Sequence, residues 1–194
     1  MDVVSGEGTT RRRAPRTDAV QNRERLARAA VAAIHREGLA VPMATIAKDA
    51  GVGVGTVYRN HPTRDDLLDD LTRRSFELML TRIEAATDDA PTAVDALRGF
   101  LTAVVGDRDA MLLPSTGGPA PRGREARAAQ RELHTRIRAL LDRGAAEGSI
   151  RREVEVADVA WLGATLAQPG RPGPTWDRVC RRLLETYLAG LATP

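Results

Sequence analysis

The sequence predicts an all-α protein, and three observations carry that prediction. Aromatic residues make up only 3% of the 194 residues, so Leu, Val, Ile and Ala must fill most of the interior. Apolar residues recur at helical spacing through most of the chain. No stretch shows the sustained period-two alternation of a half-buried strand, and no internal repeat is found.

Each element follows from local signals. Residues 1–17 read as a disordered basic arm, because glycines, threonines and the cluster RRRAPR leave hardly any apolar residue there. From Asp18 a first helix carries Leu26, Ala30 and Ile34 at i, i+4 and i+8, and Gly38 stands where a left-handed cap would stop it. MATIAKDA continues as a short second helix that Gly51 ends in the same way, and Val54 to Asn60 form a third. Pro62 disfavours helical geometry at His61, and Thr63 caps a long fourth helix. Its TRDD start fits a capping box, with Asp65 and Asp66 in the first turn where the helix dipole favours carboxylates.

Leu67, Leu68, Leu71, Ser75, Met79 and Ile83 form one stripe of that helix, which bridges two parts of the chain. After a break at DDAP, Val94, Leu97, Leu101, Val104 and Val105 mark a helix over residues 92–107, and LPSTGGPAPRG is a loop. Leu133, Ile137, Leu140 and Leu141 face inward on a helix over 124–147, stopped by Gly148. Residues 156–167 and 176–191 are two more helices, separated by QPGRPGP. The expected total is about nine.

Composition narrows the function. The formal charge is +3, but residues 1–75 carry 13 Lys+Arg against 10 Asp+Glu while the remainder carries 16 against 16. The excess positive charge therefore lies wholly in the first part, which hints at a polyanion partner there. Cys180 is the single cysteine, so no intrachain disulfide or cysteine-based zinc site can form. There is no apolar run of signal-peptide length at the N-terminus and none of about 18 residues elsewhere. The expectation is a cytoplasmic protein with no membrane contact. His35, His61 and His134 lie far apart and no catalytic or metal-ligand spacing appears, so neither an enzyme nor a metal or other cofactor is expected.

The stretch AGVGVGTVYRN, residues 50–60, poses the central choice. A dinucleotide fingerprint needs a strand before its glycines and a third glycine at the proper offset, and neither is present. A helix-turn-helix needs two short helices joined by a tight turn. Gly51 can take positive φ at that turn, Ala47 is small where the helices cross, and Ile46, Val52 and Val57 supply the small core between them. Gly53 and Gly55 lack a Cβ, which lets the third helix approach a DNA backbone; their low helix propensity is otherwise unrewarded.

TIAKDAGVGVGTVYRNHPTRDDLLDDL resembles the DNA-binding signature of the tetracycline-repressor (TetR) family of bacterial regulators, and residues 23–71 follow that pattern closely. LLDRGAAEGSIRREV followed by a Trp-containing helix resembles the C-terminal half of many such proteins. The resemblance implies a helix-turn-helix domain over residues 18–71 and a helical ligand-binding and dimerisation domain over 72–194. It implies that Val54, Gly55 and Thr56 lie against DNA, with Gly55 and Thr56 facing base edges, and that Tyr58 donates its hydroxyl to a phosphate. Arg59 reads guanine, binds phosphate or is simply solvated, and Asn60 reaches the backbone or caps its helix. Arg64 contacts phosphate, and Thr45 presents its hydroxyl or the nearby helix N–H groups to the other strand. One departure is His61, in the place of the family's usual Phe. It either lowers local stability or adds a phosphate contact.

A short recognition helix reads few base pairs, so two copies on a palindromic operator in double-stranded DNA are expected. The last helix offers Trp176, Val179, Cys180, Leu183, Leu184, Tyr187, Leu188 and Leu191, a wide stripe, and the preceding helix offers Val156, Val159, Ala160, Gly163 and Ala167. Together they imply a four-helix interface in a homodimer; an intrachain core is the alternative. Met79, Ile83, Phe100, Val104, Met111, Leu133, Ile137 and Trp161 are the candidate lining of an apolar effector pocket, with plain core as the alternative. The expected function is a repressor released from DNA by an unknown small hydrophobic ligand, the fourth helix transmitting the shift. A helical interaction protein without DNA binding and, more remotely, a nucleotide-binding enzyme are the competing readings.

Overall fold

Apolar residues at helical spacing gather into two buried clusters joined by one helix. The computed structural model describes residues 15–88, 90–169 and 173–191, so most of the basic arm lies outside the described residues. Eight α-helices follow one another: α1 (Pro15–Glu37), α2 (Met43–Ala50), α3 (Val54–Asn60), α4 (Arg64–Asp88), α5 (Ala93–Gly106), α6 (Arg124–Glu147), α7 (Val156–Leu166) and α8 (Pro174–Leu191). Two single turns of 3₁₀ helix, Arg108–Ala110 and Pro114–Thr116, lie between α5 and α6. The expected "about nine" thus becomes eight α-helices and two short turns among the described residues. The first helix begins at Pro15, earlier than Asp18, because proline is tolerated in a first helical turn.

The start of α4 follows from its capping box. The Thr63 hydroxyl accepts from the Asp66 N–H at 3.1 Å, and the Asp66 carboxylate accepts from the Thr63 N–H at 2.9 Å. One side of the first two turns of α4, through Leu67, Leu68 and Leu71, closes a core with Leu26, Ala30, Val31 and Ile34 of α1, Ile46 and Ala47 of α2, and Val57 of α3. From Phe76 onward α4 belongs to a second core, with Leu97, Phe100 and Leu101 of α5, Leu133, Ile137, Leu140 and Leu141 of α6, and Leu184 and Leu188 of α8. Between the two runs sit the buried polar residues Thr72 and Ser75. The Thr72 hydroxyl donates to the Leu68 carbonyl at 2.8 Å. Ser75 donates to the Leu71 carbonyl at 2.8 Å and accepts from the Leu112 N–H at 2.8 Å.

That last bond fixes a segment that helical periodicity could not flag. Met111 and Leu113 are extended, and in extended chain successive side chains point to opposite sides. Met111 and Leu113 accordingly join the second core, while Leu112 between them joins the first. The 3₁₀ turn before them packs on α1, and Asp107 ahead of it accepts from Arg82 Nε of α4 at 2.6 Å. Burial holds His35 of α1 below its ordinary pKa at this seam, against a hydrogen bond with the Met111 backbone and the charge of Asp109.

A second tie joins the far end of the same connection to α4. Asp69 Oδ1 accepts the backbone N–H groups of Arg122 and Gly123 at 2.7 and 2.8 Å. A Cβ on Gly123 would lie 2.0 Å from the Asp69 carboxylate, so only glycine permits this approach. Ser75→Ala should cost about 1–3 kcal/mol, because it strands the buried Leu112 N–H without an acceptor. Urea denaturation of the variant checks this; an unchanged midpoint would show that the bond does not hold the segment.

Candidate functional site

The turn between α2 and α3 is built as the sequence requires. Gly51 takes φ 65°, ψ 34°, the left-handed region, and its N–H closes on the α2 carbonyls. Ala47, Ile46 and Val57 are buried between the helices, with Val52 partly buried against them. This fixes α3 so that its other face looks outward: Val54, Gly55, Arg59 and Asn60 are exposed and Tyr58 is 50% exposed. Built on Gly53 or Gly55, a Cβ would meet nothing within 4 Å, and neither residue has positive φ. Nothing inside the protein requires glycine at either place.

Local bonds order this face. Arg59 Nη2 donates to Thr56 Oγ1 at 2.9 Å, so the two polar side chains act as a unit. Asn60 Nδ2 donates to the Thr56 carbonyl at 2.7 Å, the capping role that competed with a DNA contact in the sequence. Arg64 is half-buried and donates from Nη1 to the Leu39 carbonyl at 2.7 Å, which ties the start of α4 to the α1–α2 connection. Thr45 is half-buried near the start of α2.

His61 neither packs as a Phe would nor faces outward. Its Nε2 lies 3.1 Å from Asp70 Oδ2 of α4, while its buried Nδ1 has no hydrogen-bond partner. Asp70 also accepts from Arg73 Nη2 at 2.6 Å and Arg74 Nε at 2.9 Å. Burial alone would raise the Asp70 pKa; the bonds from His61, Arg73 and Arg74 outweigh it and hold the carboxyl well below the usual range. The residue after α3 is thus pinned to α4 by a shared carboxylate, an arrangement that sequence reading missed because His61 lies nine residues before Asp70, across the Pro62 break.

The second core encloses a cavity of about 340 Å³. Met79, Phe100, Val104, Met111, Leu133, Ile137 and Trp161 line it, joined by Phe76, Leu101, Leu113, Arg108, His134 and residues of the Pro114–Thr116 turn. Ile83 does not. It lies one turn beyond Met79, about 6 Å along the helix, and is buried as plain core. Trp161 reaches the cavity rim yet is 67% exposed.

The wide stripe of α7 and α8 divides. Val159, Gly163, Cys180, Leu184, Leu188 and Leu191 are buried within this one chain, so the intrachain alternative holds for them. Their row packs against α5 and the rest of the second core, which leaves them no surface for a partner. The adjacent row, Trp176, Val179, Leu183 and Tyr187, stays half-buried or exposed, with Leu183 44% exposed. Val156, Ala160 and Leu162 of α7 are likewise only partly covered.

A glycine-turned pair of short helices, joined through one long helix to a cavity-bearing helical unit, is the architecture of helix-turn-helix regulators with a second helical domain. Residues 26–71 match the family model for bacterial regulatory proteins of the tetR family, and residues 94–193 match that for the C-terminal domain of SbtR-like transcriptional regulators. The chain belongs to the TetR family. It is 32% identical to a TetR transcriptional regulator of Streptomyces coelicolor, with 88% of this chain and 98% of that one covered and a TM-score of 0.57. It is 33% identical over 75 residues to an HTH-type transcriptional regulator of Staphylococcus aureus, a match covering 38% of this chain and 40% of the relative's length. The transcriptional regulator FadR of Bacillus subtilis, solved in complex with stearoyl-CoA, shares the fold at 20% identity and a TM-score of 0.62, with 86% of this chain and 98% of that one covered. No helix among the described residues is long and apolar enough to cross a membrane.

The Asp70 cluster makes a pH-dependent contribution. A carboxylate whose folded pKa is lowered contributes stability that is complete above its unfolded value, about 4, and is lost as pH falls through the folded one. Asp70→Asn should cost about 1–3 kcal/mol at pH 7 by leaving charged donors unmatched, and the deficit should shrink below about pH 4. Denaturation at both pH values checks this; a deficit independent of pH would contradict it.

Proposed function

We propose that this protein is a homodimeric repressor that binds a palindromic operator through α3 and leaves it when a small, largely apolar ligand occupies the cavity. The observation that carries the DNA reading is the outer face of α3. Gly55 there has ordinary backbone geometry and open space around it, so no need of the folded chain accounts for it, whereas Gly53 also serves as the N-cap of α3. Glycine lowers helix stability by about 0.5–1 kcal/mol relative to alanine, and close approach to a DNA backbone is what repays that loss. On this reading Tyr58 and Arg64 contact phosphate, the linked Thr56 and Arg59 face base edges, and Val54, Gly55, Asn60 and Thr45 complete the surface.

Dimerisation is assigned to the part of the α7–α8 surface that the chain itself leaves uncovered: Trp161, Leu162, Val179, Leu183 and Tyr187. Exposed apolar side chains grouped in this way mark an association surface. The two units divide near residue 71, the protein acts in the cytoplasm, and no enzymatic step is part of its role. The ligand reading is supported by an apolar cavity within the range of about 300–1,000 Å³ usual for small-molecule sites, and by the stearoyl-CoA found in the FadR relative. Occupancy acts on Met111 and Leu113, and hence on Leu112 between them, whose seat is the DNA-binding core. A ligand that prefers one position of this segment shifts the spacing of the two recognition helices by its differential affinity.

Gly55→Ala separates function from folding. The variant should be as stable as the parent or more so, by up to about 1 kcal/mol, yet bind DNA from its own promoter region at least tenfold more weakly in a gel shift. Undiminished DNA binding, or no binding of such DNA by the parent protein, would refute the assignment of α3.

A further inference from the structure

Among the described residues, the cavity wall contains one strong cation. Arg108, in the first 3₁₀ turn, lines the cavity beside Phe76, Phe100 and Val104, and its side chain is only 11% exposed. A guanidinium remains charged in proteins and presents its N–H donors in a fixed fork that suits a carboxylate. Here that capacity is poorly matched. Nη1 donates to the Val105 carbonyl at 3.0 Å. Nη2 lies 3.0 Å from Asp177 Oδ1, but that oxygen has no hydrogen-bond partner, so the pair attracts by charge without an aligned bond. The buried Nε has no hydrogen-bond partner either. The Asp177 side chain is 45% exposed, although the oxygen facing Arg108 is buried. A buried N–H without an acceptor is a standing penalty that a ligand oxygen would remove.

We propose that the effector is an amphipathic carboxylic acid, its carboxylate received by Arg108 and its apolar body lying among Phe76, Phe100, Val104, Leu133 and Ile137. This deepens, and rests on, the ligand-responsive reading above. The remaining lining is mainly apolar, which disfavours a polar ligand, and a neutral alcohol or thioester would leave the guanidinium with only its unaligned pair to Asp177 and Nε without an anionic acceptor. At about 340 Å³ the cavity holds a medium-length chain, whereas the nucleotide of a coenzyme A thioester would stay outside it. Arg108 also stands three residues before Met111, so pairing with a carboxylate acts on the segment that is shared between the two cores.

Isothermal titration calorimetry of the full-length, DNA-free protein with octanoate, decanoate, dodecanoate, their primary alcohols and decanoyl-coenzyme A tests this. At least one acid should bind about tenfold to a hundredfold more tightly than its alcohol, the range expected for a charge-assisted bond. Arg108→Gln should reduce the acid to the affinity of the alcohol, with its helical circular dichroism retained. Asp177→Asn, which removes the competing carboxylate and keeps the guanidinium, should maintain or strengthen acid binding, and it decides the matter if Arg108→Gln does not fold. Equal affinity for acid and alcohol, no binding of any acid, binding of decanoyl-coenzyme A alone, acid preference surviving in Arg108→Gln, or its loss in Asp177→Asn would overturn the proposal. Because the titration contains no DNA, such a result beside intact operator binding removes the acid alone, whereas loss of operator binding in the parent removes the reading beneath it.

Discussion

The structure depends on three consecutive residues whose side chains alternate between two cores. Met111 and Leu113 pack with the cavity, Leu112 packs with α1, α2 and the start of α4, and the Ser75 hydroxyl holds the backbone between them. Packed interiors tolerate little volume change, so displacement of Met111 or Leu113 cannot leave Leu112 where it was. The neighbouring ties reinforce this constraint: Arg82 holds Asp107 on one side, and Asp69 holds the backbone at Arg122 and Gly123 on the other. Helix α4 thus meets the α5–α6 connection at three places along its length, and any movement in that connection reaches the helix that carries α3.

Beside the apolar packing of Val57 with the start of α4, a charged group ties the residue after α3 to α4. The carboxylate of Asp70 gathers His61, Arg73 and Arg74, so the position of the residue after α3 depends on charged groups of α4. Hydrogen bonds to charged groups are stronger and more directional than apolar contact. This gives the short α3, which is buried only through Val57, a defined orientation relative to the long helix.

Much of this was legible in the sequence. Helix positions followed from apolar periodicity and from stop signals such as Gly51 and Gly148, and the Thr63–Asp66 capping box followed from residue spacing. The turn-and-glycine pattern at residues 50–60 was sufficient to reject a nucleotide loop. Periodicity failed where the decisive contact was not helical. MLL at residues 111–113 is too short to display alternation, so Met111 was recognised as apolar lining but Leu112 was not recognised as a bridge. The stripe on α8 was read by its width, yet width does not say which chain covers each row, and Cys180, Leu184 and Leu188 turned inward to their own core. Arg108 and the His61–Asp70 pair were invisible because their partners are set by tertiary packing across breaks in the helices.

Native-state hydrogen exchange of the full chain tests the central coupling most directly. If the bridge through Leu112 makes the two cores cooperative, the slowest amides of the first core, at Ile46 and Leu67, will open with the same free energy as those at Phe100 and Ile137. A first core that opens several kcal/mol more easily, while the second remains closed, would contradict the account.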